Sequence, residues 1–216
     1  LARPLNSCAL SMFVGERDLP GIAERWFGGL ASALIRGDGR LPAGMRIKTM
    51  KPDEFLGYGE DAMSNLQSGY PDGAVRLYRD SEWLRWRLSE PGTSSEVIAA
   101  VDSTTQAPLG ALLLKVKAYK GLRSAAILGV LTATVDSKLM KSLVRTALSV
   151  SLREGCDIAM MIHSPVARMP IVSFPPLMIP TPKKLRFIVR PSGDVPLPHE
   201  LVSFQDWHLE LMDHDV

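Results

Sequence analysis

RDSEWLRWRL, residues 79–88, is the stretch from which the fold is read. A carboxylate just ahead of an apolar and aromatic run marks a helix start, because it accepts amides that the first turn leaves unpaired. Asp80 or Ser81 therefore caps a helix through Leu88, and Pro91 and Gly92 end it. Trp83, Trp86, Leu84 and Leu88 offer apolar area to a core. Arg85 and Arg87 are expected to reach solvent or to pair with Glu82 and Glu90.

Downstream, β-branched and apolar runs at residues 96–101, 109–118 and 125–135 read as three strands, with turns at 103–108 and 120–123. Asp136 and Ser137 cap the longest helix, residues 138–154, and Gly155 closes it. Leu139, Met140, Leu143, Val144, Ala147, Leu148 and Leu152 form its buried stripe. Residues 156–162 are apolar throughout, the composition of a strand covered on both faces. Strand, helix and buried strand in succession predict a crossover between parallel neighbours. A proline-rich stretch at 165–182, an alternating strand at 184–190 and a short segment around Trp207 complete the chain.

Upstream, residues 22–36 place Ile22, Trp26, Phe27, Leu30, Ala33 and Leu34 on one helical face. Residues 45–50 alternate as a short strand, and Pro52 and Asp53 open a second helix, to about residue 66, interrupted by glycines. The turn-rich 69–73 segment sets a boundary between a helical and linker segment, 1–72, and a denser α/β domain, 73–216. The fold class is mixed α/β (α+β), with a mostly antiparallel central sheet flanked by helices.

With 216 residues, 46% hydrophobic and 22% charged, the chain can bury a substantial core. A net charge of +2 is too small to argue for nucleic acid or an anionic membrane surface. The longest apolar stretch falls short of the roughly 20 residues that span a bilayer. Cys8 and Cys156 stand far apart, outside any metal-ligand spacing, which fits a reducing, cytoplasmic setting. The opening at Leu1 lacks the basic and apolar regions of a secretory signal and predicts a cut or processed piece. The four histidines form no HxH or HxxxH pair, so no metal site is expected.

The order of helix, three antiparallel strands, long helix, buried strand, irregular crossing and final strand resembles the Gcn5-related N-acetyltransferase (GNAT) fold. RDSEWLRWRLSEP is similar to a segment found in GNAT-like acyltransferases built as two tandem halves, where it opens the C-terminal half. The opening LARPL resembles the end of a preceding half. Trp207, followed by Asp213, His214 and Asp215, resembles the acidic tail of that branch. The likeness covers most of residues 73–216. It implies transfer of an acyl group from acetyl-CoA or another acyl-CoA to a small-molecule or peptide amine, with a second GNAT-like half or a second copy as partner. Such enzymes would hold thioester and amine in line while strand amides polarise the carbonyl.

Two departures bear on that implication. The family's pyrophosphate loop, Arg or Gln, two residues, Gly, any residue, then Gly or Ala, is replaced by TVDSKLMKS at residues 134–142, which has no glycine. No tyrosine follows Tyr119, so the family's frequent tyrosine acid is missing. For an acyl-CoA phosphate, the chain offers a helix start with Ser137, Lys138, Lys141 and Arg145; the commoner use of such spacing is the solvated face of an amphipathic helix. His163 and Ser164, at the exit of the buried strand, are the catalytic candidates, as proton acceptor and as donor to a leaving thiolate; a capped turn is the commoner use of such a sequence. A non-catalytic module, binding a partner or dimerising through its methionine-rich and proline-rich surface, is the alternative.

Overall fold

The computed structural model describes residues 2–4, 41–69, 79–119, 121–134 and 136–161. In chain order these form β1 (Ala2–Pro4), β2 (Met45–Met50), α1 (Pro52–Leu56), α2 (Glu60–Leu66), α3 (Ser81–Leu88), β3 (Ser94–Asp102), β4 (Pro108–Tyr119), β5 (Leu122–Thr132), α4 (Ser137–Arg153) and β6 (Ile158–Met161). One six-stranded sheet takes the order β1-β6-β5-β4-β3-β2. The expected mixed, mostly antiparallel architecture is present: β2, β3, β4 and β5 form a continuous antiparallel ladder. Pairing of β5 with β6 is parallel, from Ser124 opposite Ile158 to Ile127 opposite Met161. Those two strands run the same way because α4 carries the chain back between them.

Each helix begins where the local chemistry directs it. The Asp80 carboxylate accepts the Trp83 amide at 2.7 Å. Gly57 and Gly59 separate α1 from α2, dividing the interrupted helix that the sequence predicts. Gly155, at φ +69°, makes the left-handed exit of α4 that a side chain would strain.

The sheet is the middle layer of three. On one face α4 lays Leu139, Leu143, Val144, Ala147 and Leu148 over Ile98, Leu112, Leu114 and Ile127. On the other, Phe55, Met63, Leu66, Leu84 and Leu88 from the first three helices cover Val97, Ala99, Leu113 and Leu128. A bulge shifts the β4–β5 register between Leu113 and Leu114, with Leu128 as the extra residue. Ala125 and Ile127 therefore face α4 before it and Val130 after it, which keeps a strand that changes parity buried on both sides.

Among the described residues β2 pairs with β3 along its whole length, and α1 and α2 share a core with α3. Two expectations need correction. Trp86 is 63% exposed, so Leu84 and Leu88 anchor α3, with Trp83 packed at the edge of that core. Arg87 is buried rather than solvated, and the partner of Glu90 is Lys115. The helix expected at 22–36, the strand at 184–190 and the segment around Trp207 lie outside the described residues.

Candidate functional site

The carboxyl ends of strands at a change of direction in a sheet are where open α/β structures hold ligands. Here that address is the end of β5, the bend at Ala133 and Thr134, and the start of α4. Gly69, just after α2, presses onto the turn: a Cβ on it would lie 2.1 Å from the Thr132 carbonyl oxygen and 2.8 Å from the Thr134 nitrogen. Thr132 Oγ1 donates to the Thr134 carbonyl and accepts the Thr134 amide, closing a tight local turn. The Asp136 amide then donates to the Thr134 carbonyl at 3.0 Å.

Asp136 decides what the helix start can hold. Its Oδ1 accepts the amides of Lys138 at 2.7 Å and Leu139 at 3.3 Å. Two of the N–H groups that make a helix start attractive to anions are thus engaged by a negative charge that belongs to the chain. Ser137 and Lys138 are exposed, and Lys141 and Arg145 half-buried, on the polar side of α4. The expected cationic face is real in position. As it stands, the helix start does not fit a pyrophosphate: the carboxylate occupies the amides, and no glycine lets the backbone approach.

His163 and Ser164 lie outside the described residues. Among the described residues no group of three or more His, Cys, Asp and Glu is placed to hold a metal ion. No helix there is long and apolar enough to cross a membrane. Cys156 is buried, and burial pushes its thiol above the ordinary value, away from thiolate chemistry.

A polar cluster on the opposite end of the sheet was not legible in the sequence. Lys115, 2% exposed, sits on β4 under the end of α3, donating at 2.7 Å to the Arg87 carbonyl and at 2.7 Å to Glu90 Oε2. The bond from Lys115 holds the Glu90 carboxyl below its usual range. Burial holds the Lys115 ammonium below its usual range in spite of Glu90. The two shifts have different causes: the lysine has lost its water, whereas the glutamate side chain, 41% exposed, gains the charge-assisted bond with little desolvation. Nearby, the Gln67 side chain clasps the Arg79 main chain, donating to its carbonyl at 2.7 Å and accepting its amide at 3.2 Å. A lysine inside an alternating strand carries no sequence mark of this role; the only signal was its position among buried neighbours on the helix-covered face.

No family model matches the chain, and no curated protein matches it.

Proposed function

We propose that this chain is a degenerate GNAT-like acyltransferase domain. It serves acyl transfer from acyl-CoA to an amine as architecture for a second GNAT-like half, and does not itself hold the CoA pyrophosphate. The order of strands around α4 and the RDSEWLRWRLSEP segment support the family part of this reading. A single observation carries the degenerate part: Asp136 Oδ1 on the amides of Lys138 and Leu139. A phosphate arriving there would displace a carboxylate and then lie against it. The two cysteines, in no ligand or redox spacing, favour work in a reducing compartment.

Thermal unfolding with acetyl-CoA tests it. The wild-type transition is expected to stay in place at millimolar ligand, since a ligand that binds the native state raises it. A clear upward shift that Lys138→Glu with Lys141→Glu abolishes would place the phosphates at this helix start and overturn the reading.

A further inference from the structure

We propose that the edge of β2 that meets no strand among the described residues is a docking site for an extended acidic peptide, which adds to the sheet as a further strand. The proposal is independent of acyl transfer. β2 ends the sheet and pairs with β3 through all six residues, Met45 opposite Asp102 to Met50 opposite Val97. Its other edge meets no strand among the described residues. A strand edge is a row of alternate amides and carbonyls that an extended peptide can complete, and nothing in MRIKTM, which has no proline, removes a donor from it.

The side chains say what kind of peptide. Arg46 and Lys48 lie opposite Val101 and Ala99, on the face covered by α1 to α3, and Arg46 is exposed and Lys48 half-buried. Among the described residues neither has an ion-pair partner, whereas Lys51, just beyond the strand, is held by Glu96 at 3.6 Å. Met45 and Ile47 lie on the α4 face and pack at the edge of its core. An incoming strand would therefore meet two cations on one face and apolar side chains on the other. Cross-strand pairing then selects a peptide in which acidic and apolar residues alternate. A second copy is a poor occupant: adding with matching faces sets Arg46 of one against Lys48 of the other, like charge opposite like.

Edge lysines and arginines also serve as guards against strand addition, and the experiment separates the two roles. A fluorescent six-residue peptide alternating glutamate and valine, blocked at both ends, is titrated against the intact chain at low salt and followed by anisotropy. Saturable binding is expected, weakened by salt and by scrambling the peptide. Methylating the peptide nitrogens along one edge should abolish it and along the other should not, a result that needs no protein variant. Arg46→Glu with Lys48→Glu should weaken it by about tenfold or more and shift preference to a lysine and valine peptide. No binding to the wild type, equal binding of the scrambled peptide, or indifference to methylation on both edges overturns the proposal. So does affinity that survives the charge reversal. Absent peptide binding together with self-association of Arg46→Ser, Lys48→Ser would assign the two cations to guarding the edge alone.

Discussion

The two faces of the sheet are built on different principles. The α4 face is mostly apolar: among the described residues, side chains from β3, β4, β5 and one amphipathic helix meet there with few polar groups, namely Glu96 at the edge near Arg153 and small hydroxyls such as Ser151, which donates to the Ala147 carbonyl. The opposite face, covered by three short helices, buries Arg79, Arg87, Lys115 and Gln67 among its apolar side chains. A long helix satisfies its own backbone and can present a continuous stripe, whereas three short ones expose six ends whose carbonyls and amides need partners. Two buried polar side chains on the second face answer that need: Lys115 takes the Arg87 carbonyl at the end of α3, and the Gln67 amide ties the end of α2 to Arg79. One face is held by area, the other by area and specific bonds.

Deleting area should hurt most on the α4 face. Leu143 is fully buried between α4 and β4. Leu143→Ala is expected to cost about 2–5 kcal/mol, the range for a leucine whose cavity cannot collapse, read as a lowered midpoint of denaturant unfolding with the slope unchanged. A cost under about 1 kcal/mol would mean that α4 is not the tightly packed layer described. On the other face the corresponding weakness is backbone contact. Gly69→Ala would force a methyl to 2.1 Å from the Thr132 carbonyl oxygen, a clash with backbone that no side-chain rotation relieves. An expected cost of about 1–3 kcal/mol, in a position whose side chain is merely hydrogen, makes it a sharp check on how the end of α2 meets β5.

The Lys115 and Glu90 pair sharpens the contrast. Glu90→Ala leaves a buried ammonium without its counter-ion and is expected to cost about 1–2 kcal/mol, below the 3–5 kcal/mol of a fully buried pair because water reaches Glu90. Lys115→Met removes the charge but leaves the Arg87 carbonyl at the end of α3 without its donor, and is expected to cost about 1–3 kcal/mol. A cost under about 0.5 kcal/mol would show that this carbonyl does not depend on the lysine. The pH dependence has a definite sign. Because the folded pKa of Lys115 lies below its ordinary 10.5, the unfolded chain binds more protons between the two values. Stability contributed by this group therefore rises with pH across that window, and Lys115→Met should lack the rise. Glu90 acts at the other end: its folded pKa is below the ordinary 4.5, so its contribution is present above 4.5 and is lost as pH falls through the lowered value.

This difference between faces also governs what the sequence discloses. Helical periodicity placed Leu139, Met140, Leu143, Val144, Ala147, Leu148 and Leu152 on one stripe; the first six are buried and Leu152 is half-buried at the edge of the same core. The strands and the parallel β5–β6 pair were legible for the same reason, although β5 begins at Leu122, inside the expected 120–123 turn, and ends at Thr132 rather than 135. On the other face the pattern misleads. Arg87 looks solvated and is not, Trp86 looks like an anchor and is exposed, and Lys115 sits in a strand with nothing local to mark its partners. Those roles depend on where short helices end in space, and residue spacing does not encode that. Of the candidate site, the cap at Asp136 and the cationic face after it were readable, because both are local to one helix start. The engagement of that cap with two amides is equally local, whereas the closing of Gly69 over the turn is a tertiary fact.

The smallest effects separate the two capped helix starts, one on each face. Asp80→Ala and Asp136→Ala should each cost about 1 kcal/mol, the usual value of a lost carboxylate cap. The two losses should differ in their effect on anion binding. At α3 a second carboxylate remains, since Glu60 Oε1 accepts the Ser81 amide at 3.1 Å and also the Ser81 hydroxyl. At α4 the loss of Asp136 frees the amides of Lys138 and Leu139 beside Lys138 and Lys141, and removes the only charge that the described bonds place on them. Inorganic phosphate is therefore expected to raise the unfolding temperature of Asp136→Ala more than that of Asp80→Ala or the wild type, and added salt should erase the difference. An equal response in all three proteins would show that the carboxylate is not what keeps anions from this helix start, and the closed state of the candidate site would have to be traced to Gly69 and the glycine-free turn instead.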